Sequence, residues 1–328
     1  MAKHIFVLYT GGTIGMRQDE VGLLHPHAAL AGEALPHTDG LKFDWHICSP
    51  LIDSSALTPG HWRDWLAILA EKIPRYDGIL ILHGTDTLAY TANILALALH
   101  GLDKPVILTG SQLPFGAPNS DAPHNLATAA TAFPLNIPEV QIAFDGCLFP
   151  AVGSSKVSTE TAAGFANPHF GILNQWSAQQ GWRHKARPQQ QAAGAFGTAH
   201  LDPCAKVACH TLIPGHSVRL LAESLRRHDA DAVVLCSYGH GNTPDDADFI
   251  AAANAYTANG GLLLNISQVQ KGRAAAVYAQ GGALRRAGAV SGGKCNLETA
   301  AALLTLAVSA GWDAERLRMA LHDLHLTD

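Results

Sequence analysis

The stretch FVLYTGGTIGM, residues 6–16, decides how the chain begins to fold. Its first part is apolar and uncharged, which is typical of a strand that is buried on both faces of a sheet. Two threonines then enclose the pair Gly11 and Gly12, so the strand ends in backbone and two hydroxyl groups. We therefore predict a buried strand at residues 4–10 that leads into a polar loop.

The same succession of apolar strands and amphipathic helices continues outward from this stretch. Further strands are predicted at residues 42–48, 78–82 and 104–110, each followed by a helical pattern, and Asp145-Gly146 predicts a hairpin turn. Nearly continuous apolar strands separated by helices indicate a parallel sheet that is covered on both faces. The expected fold class is α/β, with two three-layer α/β/α domains. The larger N-terminal domain should have a mostly parallel sheet, and the smaller C-terminal domain a parallel one.

The length of 328 residues favours two domains. From about residue 181 to residue 206 the sequence loses its periodicity and is rich in Gln, Ala and Pro, a composition typical of a linker. We therefore predict a catalytic domain at residues 1–185, a linker at 186–206 and a C-terminal domain at 207–328.

Charge and composition argue against several classes of partner. The net charge of −5 and a pI near 6.4 leave no basic footprint for nucleic acid. No basic-then-apolar leader is seen, and no apolar run approaches the roughly 18 residues of a membrane helix. We expect a soluble cytoplasmic protein with no membrane partner. Its six scattered cysteines form no CxxC pair, so most are expected to be buried free thiols.

Histidine content raises the question of a metal, because the chain has 18 histidines. The tightest group of metal-ligating residue types is His200, Cys204, Cys209 and His210. Its spacing matches no common zinc pattern, and a loop cysteine beside a strand cysteine explains it equally well. We expect no metal site.

Polar residues follow four of the predicted strands, at the point where each strand ends. In an open parallel sheet, ligands bind beyond the carboxyl ends of the strands, so these residues should share one rim. Each group alone is ordinary, and Asp86 by itself would be interpreted as a helix N-cap. Their convergence predicts a site for a small polar substrate. The groups are Thr10–Thr13, Asp53–Ser55, His83–Thr87 and Thr109–Gln112.

A lysine lies in the segment Gly153–Lys156, where little other charge is present. Isolated lysines usually lie on the solvated surface. Over the rim, Lys156 could instead sit beside Asp86, where a partner carboxylate and desolvation would tune its proton affinity. A threonine hydroxyl is a weak nucleophile and needs such a base or relay.

One segment resembles a phosphate-binding loop: GAVSGGKC, residues 288–295. It ends in a cysteine, and a thiol is a poor ligand for Mg²⁺. We prefer to interpret it as a loop that caps a helix at residues 296–310. Ser291 and Lys294 also fit an SxxK pattern, which is short enough to occur often by chance.

Taken together, these motifs resemble the bacterial-type L-asparaginase/glutaminase family, and its cytoplasmic type I branch most closely. Both family signatures are present, YTGGTIGM at residues 9–16 and LHGTDTLAYTA at residues 82–92. The resemblance covers nearly the whole chain. Its further elements are DSS at 53–55, TGSQLP at 109–114, NSD at 119–121, Lys156, SYGHGN at 237–242 and the final helices.

The resemblance implies hydrolysis of the side-chain amide of L-asparagine to L-aspartate and ammonia, without a cofactor. It implies that Thr13 attacks the amide to form an acyl-enzyme, while Thr85, Asp86 and Lys156 relay protons and activate water. Backbone N–H groups near both threonines would hold the oxyanion. It also implies a homo-oligomer, a dimer or a homotetramer built as a dimer of dimers. The substrate-binding residues that the resemblance implies are Gly12, Asp53, Ser54, Ser55, Gly84, Ser111 and, from a neighbouring subunit's C-terminal domain, Asn242.

Particular roles follow from the same resemblance. Ser54 is expected to bind the substrate α-carboxylate, Asp86 the α-ammonium group, and the Ser111 carbonyl the leaving amide nitrogen. Three positions depart from the family pattern. Leu23, next to Gly22, replaces a flap tyrosine; Ser55 stands where secreted members have Gln; and Ala56 stands where Asp is common. We therefore expect asparaginase activity with a modest specificity constant.

Three other functions are compatible with parts of the sequence. The first is an ammonia-supplying subunit of a transfer-RNA-dependent amidotransferase, which would need a partner and usually an extra N-terminal domain. The second is a non-catalytic amino-acid binder, in which Leu23 and Ala56 would mark lost chemistry. The third is a nucleotide enzyme built on residues 288–295. The preference between asparagine and glutamine stays open, since one methylene group is worth only about 1–3 kcal/mol in a pocket.

Overall fold

A computed structural model describes residues 2–18, 21, 24–27, 30, 35–36, 38–184, 195–275 and 279–328. The chain divides into two compact units, Met1–Ala199 and His200–Asp328. Both units consist of sheets with packed helices, so the predicted α/β class is confirmed. The predicted linker at 186–206 falls partly on residues 185–194, which lie outside the described part of the chain.

The N-terminal unit is built on one large sheet with smaller two-stranded additions. Its strands are β1 (Lys3–Gly11), β2 (Met16–Gln18), β3 (Leu24–Pro26), β4 (Leu41–Ile52), β5 (Gly78–Leu82), β6 (Leu99–His100), β7 (Val106–Thr109), β8 (Val140–Phe144), β9 (Cys147–Pro150), β10 (Ser155–Lys156), β11 (Phe165–Ala166), β12 (Asn174–Ser177), β13 (Gly181–His184) and β14 (Gly197–Thr198). Its helices are α1 (Pro59–Lys72), α2 (Leu88–Ala98) and α3 (Ala122–Ala132).

The large sheet has eight strands in the order β13-β12-β9-β8-β7-β5-β1-β4. The run from β4 to β8 is parallel, whereas β9, β12 and β13 are antiparallel. Register aligns the strand ends, because Tyr9 pairs with Leu82 and Leu82 pairs with Thr109. The loops that follow β1, β5 and β7 therefore leave the sheet side by side.

Burial explains why β1 lies inside the sheet. Ile5, Val7, Leu8 and Tyr9 are completely buried and belong to the apolar centre of the unit. Removing one such large side chain from water contributes about 1.5–3 kcal/mol. Helix α1 covers the sheet after a proline at its first turn, and the Thr58 N–H donates to His61 Nδ1.

The predicted hairpin is confirmed between β8 and β9. Asp145 and Gly146 both have positive φ, 47° and 70°, as a two-residue type I′ turn requires. Glycine adopts this conformation without strain, which is why the Asp-Gly pair predicts the turn from sequence.

The beginning of the aperiodic stretch is not a linker. Gly181–His184 forms β13, the edge strand of the large sheet, and pairs antiparallel with β12. Trp182 anchors this strand, because its indole N–H donates to the Thr131 carbonyl at 2.9 Å. A single contact of a partly buried tryptophan thus replaces the apolar alternation that usually marks a strand.

The C-terminal unit has a parallel four-stranded sheet in the order β15-β16-β17-β18. Its predicted capping loop is observed, since Asn296 Oδ1 accepts a hydrogen bond from Thr299 N at 3.1 Å where α7 begins. The strands are β15 (Val207–Thr211), β16 (Ala232–Ser237), β17 (Leu262–Ser267) and β18 (Val290–Ser291). The helices are α4 (Ser217–Arg227), α5 (Ala247–Ala258), α6 (Ala279–Arg286), α7 (Leu297–Ser309) and α8 (Ala314–Asp323).

The cysteines differ in part from the expectation. None of the six forms a disulfide, but only Cys236 and Cys295 are buried. Cys204 is exposed in a loop, and Cys209 is exposed on the edge strand β15, so the expectation that most cysteines are buried was wrong. Hydrogen bonding from the Cys236 thiol, 3.7 Å away, lowers the pKa of Cys209.

Within the described ranges, no helix has both the length and the apolar character needed to span a bilayer. The same residues contain no group of three or more His, Cys, Asp or Glu side chains placed to hold a metal ion.

A buried carboxyl group makes the stability of the N-terminal unit depend on pH. Glu139 precedes β8, and its Oε1 is buried without a hydrogen-bond partner among the described residues. Burial raises the pKa of Glu139 from its ordinary value of 4.5 to about 7. The folded state favours the protonated acid. The contribution of Glu139 to the free energy of unfolding is therefore complete below pH 4.5 and is lost as the pH rises through 7.

We expect Glu139→Gln to remove this loss. Chemical unfolding at pH 5 and pH 8 should show that the variant loses about 2 kcal/mol less of its free energy of unfolding than the wild type does. Glu223→Gln, at an exposed site on α4, is the matched control and should behave as the wild type. An equal pH dependence in wild type and Glu139→Gln would contradict the prediction.

Candidate active site

Two loops touch backbone to backbone where β1 and β5 end. An ideal Cβ on Gly12 would overlap the backbone N and Cα of Gly84, so only glycine allows this approach. Gly12 also has a φ of 88°, which side chains rarely adopt. Thr13 follows one glycine of this contact and Thr85 follows the other, so the Gly12–Gly84 contact places the two threonines on adjoining loops.

A lysine ion pair lies beside Thr85. Lys156 Nζ donates to Thr85 Oγ1 at 2.8 Å and to Asp86 Oδ1 at 2.7 Å. The Lys156 side chain is 15% exposed and that of Asp86 is 62% exposed, so the lysine is largely buried while the aspartate faces solvent. The short strand β10 carries Lys156 to this position and pairs with β11.

Asp86 is not the N-cap of helix α2. That helix begins at Leu88 after Thr87, and the Asp86 carboxylate contacts Lys156 instead. The Thr87 hydroxyl donates to the Ser54 carbonyl at 2.8 Å, which ties the loop after β5 to the loop after β4. Asp86 therefore pairs with Lys156, although its position in the sequence is typical of a helix N-cap.

The loop after β4 supplies a buried hydroxyl group. Ser54 is 4% exposed, and a Cβ on Gly84 would overlap the Ser54 hydroxyl. Asp53 holds this turn, since its Oδ1 accepts a hydrogen bond from Ser55 N at 2.9 Å. Ser54 therefore borders the Gly12–Gly84 contact, whereas Asp53 and Ser55 lie on the exposed side of the turn.

The loop after β7 is fixed by an aspartate and an asparagine from α3 and its start. The Asp121 carboxylate accepts hydrogen bonds from the Gln112 and Leu113 backbone N–H groups at 2.9 to 3.0 Å. Asn125 Nδ2 donates to the Gly110 carbonyl at 3.0 Å. Ser111 is completely buried between these contacts.

Asn242 lies in the C-terminal unit, in the loop after β16. Its backbone N–H donates to the Tyr238 carbonyl at 2.8 Å. The buried Oδ1 of Asn242 has no hydrogen-bond partner among the described residues. Its role at a neighbouring subunit stays a prediction.

Comparison with known proteins assigns this arrangement to a family. Residues 4–189 match the model "Asparaginase, N-terminal", and residues 206–321 match the "Glutaminase/Asparaginase C-terminal domain". The chain belongs to the asparaginase family. Its members' established chemistry makes it an amidohydrolase, as the resemblance implied.

Individual members of the asparaginase family are similar over almost the full chain. L-asparaginase 1 of Escherichia coli K12 is 33% identical over 97% of this chain and 96% of its own. The structure of the thermostable L-asparaginase from Thermococcus kodakarensis matches with a TM-score of 0.86 and 29% identity, covering 97% of this chain and 96% of that one. L-asparaginase I from Vibrio cholerae matches with a TM-score of 0.83 and 29% identity, covering 98% and 97%.

The N-terminal unit brings several predicted residues of this asparaginase-family chain together. Gly12, Ser54, Gly84 and Thr85 adjoin one another, and Lys156 and Asp86 complete the group through their contacts with Thr85 and with each other. Thr13 is partly buried, and its hydroxyl has no hydrogen-bond partner among the described residues. Gly22 and Leu23, the flap positions that depart from the asparaginase pattern, lie outside the described ranges.

Two residues of the rim, Gln112 and His83, were given no role from the sequence. Gln112 Oε1 lies 3.5 Å from the Thr85 hydroxyl, and Gln112 Nε2 donates to the Ser158 carbonyl. His83 is fully buried directly behind Gly84, and this burial lowers its pKa to about 4. The sequence feature that could have drawn attention to His83 is its position immediately after the apolar strand Gly78–Leu82, inside the asparaginase signature.

Proposed function

We propose that the protein is an L-asparaginase, hydrolysing the side-chain amide of L-asparagine to L-aspartate and ammonia. The observation that carries the proposal is the position of Lys156, whose ammonium group contacts Thr85 and Asp86 beside the Gly12–Gly84 contact. The family assignment supports the same substrate, because the E. coli, T. kodakarensis and V. cholerae relatives are named L-asparaginases.

In the first half-reaction, the Thr13 oxygen attacks the side-chain amide carbon. The tetrahedral oxyanion is held by backbone N–H groups near Thr13 and Thr85, and such donors act strongly in a site that excludes water. The C–N bond then breaks, and the proton of the Thr13 hydroxyl passes to the leaving nitrogen. Ammonia leaves, and an aspartyl ester remains on Thr13. Gly12 allows the substrate to approach the backbone here.

In the second half-reaction, water attacks the ester and releases aspartate. In the relay that takes up the proton of this water, Thr85 Oγ1 accepts it as the Thr85 hydroxyl proton passes to Lys156 Nζ and an Nζ proton passes to the Asp86 carboxylate. The short distances of 2.8 Å and 2.7 Å around Lys156 support a connected proton path. The Thr13 hydroxyl is restored when the ester C–O bond breaks.

The remaining polar groups orient the substrate. Ser54 binds the α-carboxylate, Asp86 the α-ammonium group, and the Ser111 carbonyl the leaving nitrogen; Asp53, Ser55 and Gly84 shape the surrounding loops. Asn242 completes the site of a neighbouring subunit in a homo-oligomer. No cofactor takes part in this scheme, and we place the enzyme in the cytoplasm.

The test is an assay of the purified chain with L-asparagine, L-glutamine and D-asparagine, with and without hydroxylamine. We expect equimolar aspartate and ammonia from L-asparagine. With hydroxylamine, aspartyl β-hydroxamate should also form, because a covalent ester can be intercepted by a better nucleophile than water. Ammonia without any hydroxamate would contradict the acyl-enzyme.

The same assay separates the other functions. Ammonia release only after a second subunit is added would support an amidotransferase subunit. Calorimetric binding of asparagine without any ammonia release would support a non-catalytic binder.

A further inference from the structure

We propose that His83 is a positioning residue, which orients the Gly84–Thr85 peptide so that the Thr85 N–H faces the substrate. This inference rests on the proposed function. Three buried side chains carry it, Trp62 from α1, His83 after β5, and Thr91 from α2. We call these three residues the His83 chain.

The hydrogen bonds of the His83 chain have only one self-consistent direction. The Trp62 indole N–H donates to Thr91 Oγ1 at 2.9 Å, and indole nitrogen can only donate. At the other end, His83 Nδ1 lies 2.8 Å from the Gly84 carbonyl oxygen, which can only accept. His83 Nδ1 therefore carries the proton and donates it to this carbonyl.

The middle of the His83 chain follows from its two ends. Burial lowers the pKa of His83 to about 4, so near neutral pH the ring has one donor and one acceptor. With Nδ1 as the donor, Nε2 must accept. The Thr91 hydroxyl, 2.9 Å away, is then its donor. Proton donation runs from Trp62 through Thr91 and His83 to the Gly84 carbonyl.

Because the Gly84–Thr85 peptide is planar, the direction of the Gly84 carbonyl also fixes the direction of the Thr85 N–H. The C=O and N–H groups of a trans peptide point in opposite directions. Because the Gly84 carbonyl points inward to His83, the N–H of Thr85 in the same peptide must point away from the His83 chain. Among the described residues, this N–H has no hydrogen-bond acceptor, so it is available to a substrate oxygen.

Packing around His83 leaves this peptide little freedom. The backbone N–H of His83 donates to the Thr109 carbonyl at 2.9 Å. Trp65 contacts the His83 ring edge-on, with ring centroids 5.5 Å apart. A Cβ on Gly110 would overlap the His83 carbonyl. Glycines on both sides, Gly12 and Gly110, thus hold the loop between neighbouring strands while the His83 chain sets its rotation.

The kinetic test compares His83→Leu, His83→Asn and Thr91→Val. We expect His83→Leu to lower kcat about tenfold with KM within twofold, since an N–H that donates mainly in the transition state affects kcat. Asparagine places an amide N–H close to the position of Nδ1, so His83→Asn should recover much of kcat. Thr91→Val should lower kcat several-fold, because His83 Nε2 then loses the hydroxyl that donates to it and the ring is held less firmly.

The matched control is Thr305→Val, which removes a buried helical hydroxyl in the other unit that only donates to the Ala301 carbonyl. It should keep the wild-type kcat. Unchanged kcat in His83→Leu, or an equal loss in His83→Leu and His83→Asn, would overturn the proposal. So would an equal loss in Thr305→Val and Thr91→Val.

A spectroscopic readout keeps this inference separate from the proposed function. Long-range ¹H–¹⁵N NMR of histidine-labelled protein should show one neutral ring with the proton on Nδ1, absent from His83→Asn. A proton on Nε2 would overturn the inference whatever the activity. A wild type with the expected tautomer but no ammonia release from any amide would overturn the proposed function instead, and with it the role at the oxyanion.

Discussion

Replacing Lys156 by methionine should lower the rate of ammonia release from L-asparagine about 10³-fold while the fold is kept. Methionine retains the length of the side chain and removes the ammonium group that contacts both Thr85 and Asp86. Positioned proton transfer contributes typically about 10²–10⁴-fold to a rate, which sets the expected size. Steady-state kinetics together with thermal unfolding measures the effect.

The loss should fall mainly on the second half-reaction, where the relay activates water. Rapid acid quenching followed by mass spectrometry should therefore find aspartyl ester accumulating on the peptide that contains Thr13. Lys72→Met is the matched control, because Lys72 also pairs with a carboxylate, that of Glu71 at 3.0 Å, but lies on α1. Wild-type turnover in Lys156→Met, or an ester found on Thr85, would contradict the assignment.

The position of Lys156 shows where sequence reasoning reaches its limit. The rim could be predicted, because carboxyl ends of parallel strands meet at one edge, and residues with hydroxyl groups follow each of the four strands, with glycines after three of them. Lys156 is 70 residues from Asp86 and lies on the two-residue strand β10, which no periodicity reveals. Reasoning from the residues left open whether Lys156 is a surface charge or a partner of Asp86, and the family resemblance favoured the site.

The His83 chain could not be predicted for a related reason. His83 and Thr91 are eight residues apart, and Trp62 lies 29 residues before Thr91 on another helix. Their contact depends on how two helices pack on the sheet, and a side-chain pattern does not encode that geometry. Strand β13 was missed because one tryptophan anchor holds it rather than apolar alternation. The Asp-Gly hairpin was predictable since its turn requires particular backbone angles.

Replacing Gly12 by alanine should destabilise the protein by about 3 kcal/mol or more and lower kcat about 10²-fold. The added Cβ would overlap the Gly84 backbone, and neither strand end can yield without moving the loops that carry Thr13 and Thr85. Urea unfolding gives the stability change, and the ammonia assay on the remaining folded fraction gives kcat.

Gly260→Ala separates this overlap from backbone strain. Gly260 has a φ of 89°, against 88° for Gly12, but a Cβ there would meet no heavy atom within 4 Å. Alanine at position 260 should therefore cost only the strain of positive φ, about 1–2 kcal/mol, and leave kcat unchanged. Equal stability losses in Gly12→Ala and Gly260→Ala would show that the two loops can separate without cost. In that case the Gly12–Gly84 contact does not set the spacing of the two threonines, and Thr13 would need another element to bring it to the substrate.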